Sequence, residues 1–382
     1  MPPITSSRST VLAIVLAAAA LAHAEPDADG FVSLFNGKDL SGWVPVNVAP
    51  DTFTVRDGLI VCTGVPTGVM RSEKMYENFI VELEWRHLRP GGNSGFFVWA
   101  DAITSKGVPF TRAVENQILD GKGGDGFTTQ GDVFPIHGAT MTPGNPGKWK
   151  GRSYPTEERT KPSPEWNHYR IECNHGAISL AVNGKVVTTG RDVSVRKGYL
   201  CLESEGGLIH FRNIRIKELP GTPDLDPKFI ARADEGFKSL YTGLDLSGWT
   251  TSEQGKLAWQ PKDWTLHFEL PKGAQPDAPD AFVLRTEQKF KDFELIVDYR
   301  RWGAEPQIIV RNVPIQMPGL PEDKPAWHRA RITLKGSALG VRVDDQVIPL
   351  NVNFPADITE ATLGLNPSGN CDFANLYVRP LP

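Results

Sequence analysis

The stretch Phe79-Ile80-Val81-Glu82-Leu83-Glu84-Trp85-Arg86 decides the class of fold. Phe79, Val81, Leu83 and Trp85 share one face of an extended chain, while Glu82, Glu84 and Arg86 share the other, so the apolar period is two. Runs at 95–99, 116–119, 168–173, 177–182, 185–187, 198–202 and 208–217 are further strand candidates. Asn183-Gly184, between two of them, predicts a tight hairpin turn. No long stretch carries a helical stripe. With 37 Gly and 31 Pro among 382 residues, the chain is too turn-rich for a helical bundle and suits many short strands. An all-β protein follows, built as a jelly-roll β-sandwich with one sheet face free for a ligand.

The chain also repeats itself. Gly30-Phe31-Val32-Ser33-Leu34-Phe35-Asn36-Gly37-Lys38-Asp39-Leu40-Ser41-Gly42-Trp43 returns as Gly236-Phe237-Lys238-Ser239-Leu240-Tyr241-Thr242-Gly243-Leu244-Asp245-Leu246-Ser247-Gly248-Trp249. Phe79 to Arg86 matches Phe293 to Arg300, Trp166 to Ile171 matches Trp327 to Ile332, and Phe211-Arg212-Asn213 matches Phe373-Ala374-Asn375, in the same order. Two tandem sandwiches are expected, residues 25–219 and 235–382. The Pro-rich stretch 220–234 would link them.

Residues 1–24 read as a secretory signal peptide: Arg8, an apolar run from Val11 to Leu21, then Ala22-His23-Ala24 as a small-x-small cleavage site. The run is shorter than the roughly 20 apolar residues of a membrane span, so the mature chain is expected to be exported, to periplasm or exterior, without a span. A net charge of -4 offers no cationic surplus for a phosphate backbone, which argues against nucleic acid as a partner. Cys62, Cys173 and Cys201 lie in apolar runs, and with Cys371 are expected to be buried free thiols.

The opening GFVSLFNGKDLSGW, PGGNSGFF (Pro90 to Phe97), ENQILD (Glu115 to Asp120), EWNHYRI (Glu165 to Ile171) and FRNIRIKEL (Phe211 to Leu219) together resemble the 3-keto-disaccharide hydrolase family. The resemblance implies a concanavalin A-like jelly roll, so that the whole chain reads as two tandem concanavalin A-like jelly-roll β-sandwiches. It also implies cleavage of glycosides whose sugar carries a ketone at carbon 3, hence an oxidised glycoside as partner. The second copy has neither the NSG nor the ENQILD motif, and reads RRWGAEPQIIVRNVPIQM in that region. The polar residues found in one copy alone are therefore assigned to function rather than to folding.

A ketone at carbon 3 acidifies the hydrogen on carbon 2, and its loss lets the glycosidic oxygen leave carbon 1 by β-elimination, after which water can add. Such chemistry needs a base, an acid and a group to stabilise the enolate oxygen. Glu115 is assigned as base and Gln117, on the same strand face, as a substrate-orienting amide. His137, in a Gly-rich loop, is the histidine assigned to proton transfer. Glu84, Arg86, Asn93, Ser94 and Asp120 are assigned to substrate contacts, and Trp149, in a long insertion, to stacking on a sugar ring. No cofactor is called for, although Glu115, Asp120, Asp132 and His137 leave a divalent metal open, at no diagnostic spacing. Two other readings stand beside this one: an ordinary glycoside hydrolase, whose usual strand motif is incomplete at Glu82-Leu83-Glu84, and a non-catalytic carbohydrate-binding sandwich. The oligomeric state is left open.

Overall fold

The computed structural model describes residues 26–121, 126–273, 278, 280–318 and 325–382; the expected signal peptide lies outside them. The described chain is almost all antiparallel strand, arranged as four sheets that stack in two pairs. In the first sandwich one sheet runs, in spatial order, Thr142–Pro143, Lys185–Arg191, Ala177–Val182, Asn167–Asn174, Phe79–His87, Ile209–Glu218, Leu59–Cys62 and Phe53–Arg56. Its partner sheet runs Trp43–Pro45, Gly68–Ser72, Tyr199–Ser204, Asn93–Ala100, Ala113–Leu119 and Val133–Ile136. Phe79, Val81, Leu83 and Trp85 point between the sheets as the alternation requires, and meet Phe96, Val98, Val114, Ile118, Leu200 and Leu202. Asn183 and Gly184 both take positive φ in the expected hairpin turn.

The second sandwich repeats this strand order almost step for step. Its larger sheet places Phe293–Arg301 between His328–Lys335 and Cys371–Pro380, as Phe79–His87 stands between Asn167–Asn174 and Ile209–Glu218. Its smaller sheet runs Trp249–Thr250, Leu284–Phe290, Ala361–Asn366, Gln307–Val310 and Val313–Gln316, and stops one strand short of the first sandwich's. All four cysteines are free and buried. Burial pushes the Cys62 thiol up to about 11 and the Cys201 thiol up to about 12, so neither is a ready nucleophile.

The segment between the sandwiches does not swing free. Ala231 packs into the first core, its N–H donates to the Lys197 carbonyl at 2.7 Å, and Asp234 pairs with buried Arg71 at 2.5 Å. The outer face of the first sandwich's smaller sheet then docks on the second sandwich through Val69, Phe97, Tyr199 and Cys201 against Phe237, Ile296 and Tyr377. Beside this apolar seam, the buried Asp298 carboxylate accepts from Arg329 Nε at 2.6 Å, from Asn375 Nδ2 at 2.7 Å, and from the Gly107 N–H of the first sandwich at 2.8 Å. Asn375 Nδ2 also donates to the Ser105 and Val108 carbonyls, both at 3.0 Å. One carboxylate thus organises a loop of the other sandwich. Asp298→Ala leaves Arg329 buried without its partner, and is expected to cost about 3–5 kcal/mol. Chemical denaturation should show this loss with the second sandwich unfolding earlier; a midpoint equal to that of the unaltered chain would refute the assigned role.

Candidate functional site

The part of that outer face left uncovered by the second sandwich carries the site. Strand register places Phe97 opposite Glu115 and Gly95 opposite Gln117. On the other side Cys201 faces Phe97, and Asn93 bridges to Glu205. With period two, Glu203 and Glu205, Asn93 and Gly95, and Glu115 and Gln117 therefore project together from three adjacent strands. All but Gly95 line a cleft of about 760 Å³ walled by Phe127, Thr128, Phe134, Trp149 and Arg152.

Gly95 is what lets the carboxyl groups meet. A Cβ there would stand 2.8 Å from Glu203 Oε2 and 2.9 Å from Glu115 Oε1, so both oxygens occupy the space above its Cα. Charged oxygens this close, this deeply buried, repel each other. Burial first, then Glu205, pushes the Glu115 carboxyl up to about 8, against a smaller opposing pull from Arg152. Burial and the Glu115 charge hold Glu203 protonated far above the usual carboxylate range. Glu205 rises to about 7 through burial and Asp263 of the second sandwich, despite the hydrogen bond donated by Asn93 Nδ2. Glu203 Oε2 has no hydrogen-bond partner among the described residues, although it is buried, and it borders the cleft.

Arg152 supplies the positive charge. Its guanidinium lies 3.4 Å from the Phe134 ring centre and 4.5 Å from that of Phe127, and donates to Thr128 Oγ1 at 3.0 Å and Asp132 Oδ2 at 3.1 Å. Asp132 also accepts from the Thr129 N–H and hydroxyl. This carboxylate is spent on fixing Arg152 and its loop. Trp149 stands edge-on to Phe127 at 5.1 Å, and its indole N–H lacks a partner among the described residues.

The structure brings Glu115, Asn93, Gln117, His137 and Trp149 to this cleft, but changes some of the roles expected of them. Gln117 has its amide committed, donating to Thr128 Oγ1 at 3.0 Å and accepting from the Ile118 N–H at 3.0 Å; it braces the wall. His137 sits where the cleft meets a second hollow between the sandwiches. Its ring stacks on Phe110 at 6.1 Å, and burial lowers its pKa, so it is a neutral base or donor at the rim.

Four expectations are corrected. Ser94 has the wrong parity for the cleft: it points between the sheets, fully buried, and donates to the Glu203 carbonyl at 2.9 Å. Glu84 and Arg86 lie on the outer face of the opposite sheet, where Arg212 Nε donates to Glu84 at 2.6 Å and Arg86 stacks 4.6 Å from the Trp166 ring. Asp120, just past its strand, pairs its N–H with the Gly92 carbonyl and is not among the cleft residues. The proposed metal ligands do not converge; among the described residues no group of three or more His, Cys, Asp or Glu is placed to hold a metal ion.

Glu203, Glu205 and Arg152 are candidate site residues, lining the cleft, to which sequence reasoning assigned no role. The signal was present in Tyr199-Leu200-Cys201-Leu202-Glu203-Ser204-Glu205, where two carboxylates at a spacing of two close an apolar strand. At the matched position, the second sandwich carries three amides on its adjacent strands. Asn366 Nδ2 donates to Gln307 Oε1 at 2.8 Å, and Gln307 Nε2 to Gln316 Oε1 at 3.1 Å. The fold tolerates a neutral, self-satisfied patch there.

The raised carboxyls make stability depend on pH in a definite sense. From about pH 5, where free carboxyls ionise, to about pH 8, the folded chain holds protons that the unfolded chain has released, so stability falls as pH rises. Thermal melts across this window should show a falling Tm, and Glu115→Gln should flatten the fall. An unchanged slope in the variant would contradict the buried, proton-sharing arrangement.

Comparison with known proteins is consistent in its direction. Residues 30–217 match the profile of the 3-keto-alpha-glucoside-1,2-lyase-like domain. A protein of Bacteroides thetaiotaomicron named 3-keto-disaccharide hydrolase is 27% identical over 186 residues, covering 42% of this chain and 58% of that protein; the chain thus spans little more than half of that relative's length. Two solved structures from Parabacteroides distasonis, provisionally assigned as glycosyl hydrolases, are 23% and 26% identical. Each covers 50% of this chain, with 95% and 99% of their own lengths matched and TM-scores of 0.40 and 0.36.

Proposed function

Residues 30–217 belong to the 3-keto-alpha-glucoside-1,2-lyase-like domain family, and from that premise we propose that the first sandwich cleaves 3-keto-glycosides by removing the proton from carbon 2. The observation that carries this reading is the meeting of Glu115 and Glu203 over Gly95 in a cleft that also holds Arg152. Two neighbouring carboxyls that cannot both ionise divide into one base and one acid. Glu115, with Arg152 favouring its ionised form, takes the proton. Glu203 stays protonated and can give a proton away.

The electron pair of the C2–H bond moves onto carbon 2 and the carbon-3 ketone, forming an enolate whose oxygen faces the Arg152 charge. It then returns to form the C1=C2 double bond as the C1–O bond breaks, and the departing oxygen takes the Glu203 proton. Addition of water across C1=C2 returns hydrogen to carbon 2 and places hydroxyl on carbon 1, which completes a hydrolysis. If the product leaves before water adds, the same site acts as a lyase. Trp149, whose indole N–H has no partner among the described residues, is assigned to the sugar ring. The strand correspondence and the repeated opening motif support descent of both sandwiches from one ancestor, with the second having lost its carboxylates. Export of the chain through residues 1–24 fits an enzyme that meets glycosides outside the cell.

Purified protein given a 3-keto-glucoside and its unoxidised parent should release aglycone from the former alone. Release from the parent would favour an ordinary glycoside hydrolase, and binding without turnover a lectin-like role. Glu115→Gln and Glu203→Gln should each lower kcat at least about a hundredfold with circular dichroism unchanged; full activity in either removes that residue from its role. Because only ionised Glu115 is a base, the rate should rise as pH passes through about 7 to 8, and a rate falling over that interval would contradict the assignment.

A further inference from the structure

The larger sheet of the second sandwich turns its outer face to the first sandwich, and at Asp298 this face divides. Past the docked region, toward the end of the strand Phe293–Arg301, two tryptophans flank Arg300 and a third lies against one of them. Its guanidinium lies 4.7 Å from the Trp327 ring centre and 4.9 Å from that of Trp302, while the Trp264 and Trp327 rings are 5.7 Å apart. Trp302 is 48% exposed. Along one edge Asp372 accepts from Arg300 Nε at 3.1 Å and lies 2.6 Å from His267 Nδ1, so the polar groups beside the rings are held in place and their charges are paired.

The matched positions of the first sandwich show which of these residues the fold requires. There Arg86 stacks on Trp166, as Arg300 does on Trp327, so that pair belongs to the architecture. The other two tryptophans do not. The turn between Arg56 and Leu59 holds Asp57-Gly58, where the turn between Lys262 and Thr265 holds Asp263-Trp264. Leu88, whose N–H donates to the Leu208 carbonyl, stands where Trp302 donates to the Asn370 carbonyl. Indole surface has therefore been added, with Trp302 half in water and Trp264 partly buried, to the sandwich that lacks the cleft carboxylates. Exposed aromatic area of this kind costs solvation and marks a binding surface.

We infer that Trp264, Trp327 and Trp302 form a platform that binds consecutive rings of a neutral glycan. A pyranose ring presents C–H groups on its faces and hydroxyls around its edge; indoles take the former, and Arg300, His267 and Asp372 the latter. The paired charges of Arg300 and Asp372 favour an uncharged ligand over an anionic one. Position supports a link to the cleft. Asp263, beside Trp264, accepts from the Thr67 N–H of the first sandwich at 2.6 Å and acts electrostatically on Glu205. Trp327 packs against Gly107 of the docking loop. A glycan on this platform starts at the seam next to the catalytic cleft. The platform is a second site, and binding to it is measured without an oxidised sugar.

Isothermal titration of the full chain with cellohexaose, laminarihexaose and maltohexaose should find at least one of them bound. Trp302→Leu and Trp264→Ala should each weaken that binding at least about tenfold, with thermal melts and turnover of a methyl 3-keto-glucoside unchanged. Glu115→Gln should bind as the unaltered chain does. If none of the three glycans binds, if both tryptophan variants bind normally, or if Glu115→Gln alone loses binding, the platform is refuted. Should Trp264→Ala lower the melting temperature, the exposed Trp302→Leu decides alone.

Discussion

Two buried carboxyl groups held over a residue without a side chain constrain the rest of this molecule. Gly95 leaves room for the Glu115 and Glu203 carboxyl ends, which a Cβ at this position would push aside. Burial then raises the cost of ionising either group, and their proximity makes the two ionisations antagonistic. The result is one carboxyl that stays protonated and one that ionises close to neutrality, made from a residue type that is ordinarily ionised at a surface. Arg152 makes the arrangement tolerable, and Asp132, Thr129 and two aromatic rings fix Arg152.

The second sandwich shows what the fold does without that constraint. Its equivalent strands close their exposed face with Asn366, Gln307 and Gln316, amides that satisfy one another. Its larger sheet has meanwhile turned the carboxylate matching Glu84 into Asp298, the centre of the docking contact. Docking covers the apolar half of the first sandwich's outer face and leaves the polar half as a cleft. The second sandwich therefore shapes the site from its border, through Asp263 and the hollow shared at His137.

Much of this was legible in the residues. Strict alternation in Phe79 to Arg86 placed the core, Asn183-Gly184 placed a turn, and the motif around Glu115 marked a strand that does line the cleft, with Glu115 and Gln117 both on the cleft side. What alternation cannot show is which of two outer faces becomes concave. Glu84 and Arg86 were correctly polar and outward, yet belong to the opposite sheet. Parity separated Ser94 from Asn93 and Gly95, a distinction that depends on the exact register of one strand. Glu203 and Glu205 come from a strand distant in sequence, and only the pairing through Cys201 and Phe97 brings them beside Glu115.

The most direct test follows the hydrogen at carbon 2. Cleavage of a 3-keto-glucoside in deuterated water, with the freed sugar analysed by mass spectrometry and corrected for exchange in the sugar incubated alone, reports whether that hydrogen left. Proton abstraction by Glu115 predicts a carbon-bound deuterium at carbon 2, or an unsaturated sugar released before water adds. A product that keeps its original hydrogen there would mean that water displaces the glycosidic oxygen directly, and would contradict the account.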